Sequence, residues 1–191
     1  MFRTKNLSAV ILAVAIAAGA PALASSYDID TAHSTVLFKI RHLGVADFYG
    51  RFNGVSGTFT FDPAEPTKGS IDISVKADSV DTDNEKRDQH LMSPDFFNAK
   101  QFPVITFKSE SVKKVGDKKF EVTGTLNLHG VSKKVTAAVD YIGAGDDPWG
   151  GYRAGFEARV SIKRSDFGIT FMPGGLGENV DLIVALEGKR K

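Results

Sequence analysis

Residues 34–42 read STVLFKIRH and alternate without a break. Val36, Phe38, Ile40 and His42 fall on one side, with Leu37, Lys39 and Arg41 on the other. A period of two is that of a β-strand with one covered face. Similar runs follow at 55–62, 69–80, 104–112, 119–129, 133–142, 151–163 and 179–188. Turns separate them: Asp62-Pro63-Ala64-Glu65-Pro66, Gly116-Asp117, His129-Gly130 and the stretch from Gly143 to Gly151. Each is rich in residues that punctuate strands. Strands at this spacing, with no repeat, low-complexity tract or linker, predict one antiparallel barrel or sandwich.

Parity assigns the covered face. It holds Val36, Phe38, Ile40 and His42 in the first run, then Val55, Gly57, Phe59 and Phe61. The third and fourth runs give Ile71, Ile73, Val75, Ala77, Ile105 and Phe107. The fifth and sixth give Phe120, Val122, Gly124, Leu126, Leu128, Val135, Ala137 and Val139. The last two give Tyr152, Ala154, Phe156, Ala158, Val160 and Ile162, then Val180, Leu182, Val184 and Leu186. Small residues among large ones (Gly57, Gly124, Ala137, Ala154, Ala158) are expected to leave volume inside. An eight-stranded barrel has the size at which either a filled core or a single-ligand cavity forms.

Residues 82–93 break the period and predict a short helix. Thr82 and Glu85 have capping-box spacing, Asp83 and Glu85 suit the positive N-terminal end, and Pro94 would end it. Phe96, Phe97 and Phe102 follow in a loop. Three loop aromatics need an apolar surface. This segment is expected to cover one barrel end, with Leu91, Phe96 and Phe97 at a cavity mouth.

The first 24 residues read as a secretory signal peptide. Arg3 and Lys5 start it, Leu7 to Ala18 is apolar, and Ala22-Leu23-Ala24 is a small-x-small cleavage site. The expected mature domain is 25–191, which is 167 residues of the 191. Its 22 basic residues (24 less Arg3 and Lys5) face 23 acidic ones. That balance argues against a nucleic-acid partner. The Lys113-Lys114, Lys118-Lys119 and Lys133-Lys134 pairs read as solvated positions in or beside turns. The chain has no Cys, so stability must come from a core.

A family resemblance covers residues 27–188. The opening Tyr27-x-Ile29-Asp30-x-x-His33-Ser34-x-Val36-x-Phe38-x-Ile40-x-His42-Leu43-Gly44 resembles that of YceI-like proteins. So do Gly50-Arg51-Phe52 and Gly57-x-Phe59-x-Phe61-Asp62. The run Asp88-x-His90-Leu91-x-Ser93-x-Asp95-Phe96-Phe97, with Phe102-Pro103 and Phe107-x-Ser109, is similar to the family's helix and loop. Gly124-x-Leu126-x-Leu128-His129-Gly130-Val131-x-Lys133 and Arg164-Ser165-Asp166-Phe167-Gly168 complete the set. The resemblance implies a lipocalin-like, eight-stranded antiparallel barrel with one short helix. It further implies a long polyisoprenoid or similar amphiphile in an elongated apolar pore, a periplasmic location and no enzyme activity. The expected pore lining is Val36, Phe38, Ile40, His42, Phe59, Phe61, Ile73, Phe107, Leu126, Ala154, Phe156, Ala158, Val160 and Val184.

Other chemistry finds little support. His33, His42, His90 and His129 match no metal-ligand spacing. His33 is expected to bond locally near Asp30, and His129 to be structural in a hairpin turn. His42 is read either as a core histidine or as a polar contact to a ligand headgroup. No Ser sits in a GxSxG elbow. A calcium loop counted from Asp81 would need Gly and Glu where Lys86 and Met92 stand. Gly174-Gly175-Leu176-Gly177 lacks the Lys-Ser/Thr of a phosphate loop and reads as a turn. The leading expectation is a periplasmic protein that binds, sequesters or transports an apolar chain-like lipid: a polyisoprenoid, an isoprenoid quinone or a fatty-acid-like amphiphile. No cofactor or metal is expected. Transient membrane contact and a homodimer are both compatible with this reading. The alternative is a non-enzymatic structural or stress-response protein with a packed barrel.

Overall fold

The computed structural model describes residues 24–191; the signal-peptide reading of 1–24 falls, but for Ala24, outside them. Eleven strand segments run β1 (Ser25–Ile29), β2 (Thr35–His42), β3 (Ala46–Phe52), β4 (Val55–Phe61), β5 (Ser70–Lys76), β6 (Val80–Asp81), β7 (Val104–Gly116), β8 (Lys119–Leu128), β9 (Val131–Asp146), β10 (Tyr152–Lys163) and β11 (Leu176–Arg190). A helix α1 (Glu85–Leu91) lies between β6 and β7. All the strand pairings are antiparallel.

The eleven segments make eight ring positions. β1 and β2 both pair with β11, at Ile29↔Gly188 and Thr35↔Ala185, so they are one strand interrupted by the 3-10 turn Thr31–His33. β3 pairs β2 and β4 pairs β1, interrupted only at Asn53-Gly54. β6 extends β5 beyond a second 3-10 turn, Ala77–Ser79, and pairs β3. The ring closes through β5–β7 and then runs in sequence to β11. This is a closed eight-stranded antiparallel barrel with one helix.

The last two interruptions are stitched to each other. Gly54 N–H donates to Ser79 Oγ (2.9 Å), Asn53 N–H to Ser79 O (3.2 Å), and Lys76 N–H to Gly54 O (2.9 Å). The backbone groups freed by the breaks are thus satisfied locally, as buried polar groups must be.

The barrel has two different ends. At one, Tyr27 stacks on Phe59 (4.7 Å), and Phe61 meets Phe156 (5.0 Å) and Tyr141 (4.8 Å). Such pairs contribute about 0.5–1.5 kcal/mol each beyond burial. Helix α1 and the loops 43–45, 129–130 and 164–175 lie at the other end.

The helix is shorter than 82–93. Its N-cap is Asn84, whose side chain accepts from Arg87 N–H (3.0 Å), and its C-cap is Met92, before Pro94. Thr82 is buried, and its hydroxyl donates to Asp88 Oδ1 (2.5 Å). A hydroxyl engaged there leaves capping to Asn84. Lys113-Lys114 and Lys133-Lys134 lie near the ends of β7 and β9, beside the turns at 117–118 and 129–130.

Outside the barrel, Arg153 donates to Asp30 (2.7 Å) and Asp147 (2.9 Å), and also to Glu187. His33 Nδ1 lies 3.0 Å from Asp30, as the sequence suggested, and Lys189 Nζ is also 3.0 Å away. The His33 imidazole and then the Arg153 guanidinium hold the Asp30 carboxyl well below the usual carboxylate range. The Asp30 side chain is only 6% exposed, so removing its charge strands its partners. Asp30→Asn is expected to cost about 3 kcal/mol at neutral pH. The folded state favours the ionised carboxylate, so this stabilisation is complete above the unfolded value of about 3.9 and drains as pH falls below it. Urea midpoints of wild type and Asp30→Asn should therefore differ most at neutral pH and converge in acid.

Candidate functional site

The barrel encloses two adjoining chambers. The outer one, about 480 Å³, lies below α1 and the 164–175 loop; the inner one is about 170 Å³. Val36, Val75, Ile105, Leu126 and Leu182 line both, so the chambers share a continuous wall. That hollow interior changes the burial pattern. Phe156, Ala158, Val160, Leu182 and Val184 point inward yet are only half-buried, because they face empty volume.

Most of the sequence-expected lining falls on this wall. Val36, Phe38, Ile40, His42 and Leu126 line the outer chamber, with Leu91, Phe96 and Phe97 from the helix and loop. Phe59, Phe61, Ile73, Phe107, Phe156, Ala158, Val160 and Val184 line the inner chamber, which Val36 and Leu126 also reach. Ala154 lies on neither wall: it is 1% exposed and packed among the aromatic core. His42 has inward parity but stands at the rim, where it is exposed.

The small-residue argument holds for only part of its set. Ala137 and Ala158 face the inner chamber. A side chain at Gly124 would meet Phe107 Cζ at 2.6 Å, and one at Gly57 would meet the Asp72 carbonyl at 2.1 Å. Those glycines admit a neighbouring ring and a close backbone approach instead of leaving space.

The mouth is built from three aromatic rings. His90 sits edge-on to Phe96 (5.1 Å) and Phe171 (5.1 Å), and Phe96 reaches Phe171 (5.2 Å). His90 Nε2 is 2.8 Å from Asp95. Phe97 lies deeper, edge-on to Phe52 at 5.1 Å. The polar side chains of the outer wall are two imidazoles, His42 and His90, and two guanidinium cations, Arg87 and Arg164. Arg87 lies over the Phe48 ring (4.5 Å) and donates to the Thr82 hydroxyl (2.8 Å) and carbonyl (2.7 Å).

Phe171 and Arg164 were not anticipated. Arg164 is 5% exposed and donates to the carbonyls of Gly177 (3.0 Å), Ile169 (3.0 Å), Phe171 (2.8 Å) and Leu176 (3.3 Å). It fixes the loop that carries Phe171. The signal was available: Arg164 continues the inward parity of Val160 and Ile162, and a cation on an apolar face needs a polar cradle. In the Gly174–Gly177 turn, the Gly175 and Leu176 N–H groups both donate to Met172 O and are not free to cradle an anion.

Among the remaining titratable groups, Asp30, His33 and Glu187 could meet at one ion. Arg153 and Lys189 already neutralise Asp30, and Arg153 also contacts Glu187. The cluster is therefore an ion-pair network. His129 is structural: its Nδ1 donates to Phe167 O (3.0 Å).

A closed antiparallel barrel around an apolar cavity defines the class. The model of the YceI-like domain matches residues 27–188, and this chain belongs to that family. Protein YceI of Salmonella arizonae is 45% identical over 186 residues, covering 96% of this chain and 97% of that protein. Burkholderia cenocepacia BcnA superposes with a TM-score of 0.76 at 26% identity, covering 83% of this chain and 98% of that one. A polyisoprenoid-binding domain from Saccharophagus degradans shares the fold, with a TM-score of 0.66 at 18% identity over 88% of this chain and 99% of that one.

Proposed function

We propose that this protein binds and carries a long apolar lipid of the polyisoprenoid type, without catalysis, in the bacterial periplasm. The observation that carries this is the continuous apolar wall shared by the two chambers. Phe156, Ala158 and Val160 of β10 line the inner chamber, and Ile162 lines the outer one, so the cavity follows the strand and suits a chain better than a compact ligand. Each methylene buried contributes roughly 0.8 kcal/mol, which gives ample driving force with few polar contacts. The relative from Saccharophagus degradans, described as polyisoprenoid-binding, adds support from the shared fold.

The tail occupies the inner chamber and the headgroup rests at the mouth. Arg87 has no carboxylate partner among the described ion pairs, so an anionic headgroup would find a cation there. A non-catalytic role fits the histidines. His90 is held by Asp95 as a general base would be, but no Ser, Thr or Cys stands beside it on the outer wall.

The alternative, a packed barrel acting through its surface, has less in its favour because the interior is hollow. Binding is tested by titrating delipidated protein with a fluorescent polyprenyl phosphate. Saturable binding with displacement by unlabelled polyprenol is expected; no binding would overturn the proposal.

Exchange is proposed to pass the ring of Phe96, His90 and Phe171, since opening the barrel between strands would expose unpaired backbone groups. Phe171→Ala removes one ring of three. Stopped-flow transfer should show lipid release accelerated about tenfold with a smaller change in affinity. An unchanged rate would place the gate elsewhere.

A further inference from the structure

The rim of the mouth carries apolar side chains that face solvent. Val45 is 80% exposed, Leu43 53%, Met172 39% and Phe171 38%. They come from two turns, and Leu43 N–H donates to Gly175 O (2.7 Å), which ties one turn to the other. Phe171 and Met172 also line the outer chamber. Apolar side chains thus stand both on the cavity wall and at the outermost tips of the same rim.

These tips are built against local preference. Val45 N–H donates to His42 O (3.1 Å), and the residues between, Leu43 and Gly44, have φ of +52° and +72°. That is the φ pattern of a type I′ hairpin turn, which favours Asn-Gly. A bulky residue at positive φ is unfavourable, and Met172 repeats the oddity at +54°. The same φ occurs at Lys118 and His129 in other turns, so it is the bulky apolar residue at that φ that sets these two turns apart.

The composition points the same way. Charged residues make up 25% of the chain, yet 167–177 (FGITFMPGGLG) and 43–46 (LGVA) contain none. The nearby Arg41 is paired with Asp47 (2.8 Å), and Arg164 is occupied by backbone carbonyls.

We propose that the two turns form a docking tip that inserts into the surface of a phospholipid bilayer and holds the mouth against it. The proposal rests on the carrier reading, because a lipid cargo gives the mouth a reason to meet a membrane. Four separate side chains on tight turns offer a few hundred Å². A stable protein partner would bury about 800 Å² on this side, so a bilayer suits the tip better. The proposed contact involves the two turns alone and is superficial. Since the tip is uncharged, docking should persist on zwitterionic vesicles and in high salt.

The chain has no Cys and one Trp, Trp149, in the β9–β10 loop at the opposite end. An environment-sensitive fluorophore on Val45→Cys should shift to the blue on phosphatidylcholine vesicles, while Trp149 emission stays constant. The double variant Leu43→Asn, Val45→Ser should extract lipid from vesicles roughly tenfold more slowly. It should melt no lower than wild type and bind the same amount of lipid supplied in detergent. A probe at 45 that stays in water while lipid is extracted at the normal rate would overturn the proposal. So would a shift of Trp149 instead, or docking that requires a membrane protein. Docking without any lipid uptake would contradict the carrier reading and leave the tip standing.

Discussion

Ala158→Phe is expected to abolish most lipid retention while leaving a folded barrel. Ala158 stands on β10 between Val139 of β9 and Val184 of β11, and all three face the inner chamber. A phenyl ring here enters a space of about 170 Å³ and closes the deep end to a chain. Excluding a single five-carbon unit forfeits about 4 kcal/mol of transfer free energy at ~0.8 kcal/mol per carbon. Allowing for rearrangement of the tail, affinity should fall by at least about tenfold. Overpacking should cost about 1–3 kcal/mol of stability, less than a typical domain's total. Ala154→Val is the control. Ala154 belongs to the packed aromatic end, so enlarging it should lower the urea midpoint without changing lipid affinity. If Ala154→Val impairs binding and Ala158→Phe does not, the two residues have exchanged roles and the inner chamber is misplaced.

Arg164→Met should have the largest effect on the mouth. Methionine keeps much of the apolar stem and removes every donor. Four carbonyls of the 164–177 loop then lose their partner, and hydrogen bonds to a charged group contribute about 1.5–3 kcal/mol each when singly removed. Solvent will rescue the outermost carbonyls, so a net loss of about 3 kcal/mol is expected. The mechanistic reading lies in where the loss appears. Hydrogen exchange should rise across 169–177 and at α1, which meets the loop through the contact of His90 with Phe171. The ion-pair network at Asp30 should keep its protection. Uniform loss of protection would instead make Arg164 part of the global core.

The sequence was most legible where one side chain alternated with the next. β2, β4, β8 and β10 follow the expected parity because each has a covered inner face. β1 and β3 escaped notice for physical reasons. β1 offers only Tyr27 and Ile29 before the 3-10 turn. β3 has Gly50 at an inward position, where the Phe38 ring occupies the space of the missing side chain. Both extend strands already recognised, which is why eight ring positions emerge from eleven segments. The composition of the cavity wall was also readable, but its depth was not. Ala154 and Ala158 are identical in sequence terms; they differ because aromatic rings converge around one and not the other. Phe171 was hidden in a segment with no periodicity, positioned by a buried arginine.

The central claim is that the cavity carries a lipid. Native mass spectrometry of protein purified without detergent from its own host tests this most directly. The result expected is a mature chain beginning at Ser25 with an additional, non-covalent mass that leaves on collisional activation and matches a long isoprenoid. Ala158→Phe prepared in parallel should lack that mass. A wild-type chain that is uniformly bare, and that remains bare after incubation with polyprenyl lipid, would contradict the account.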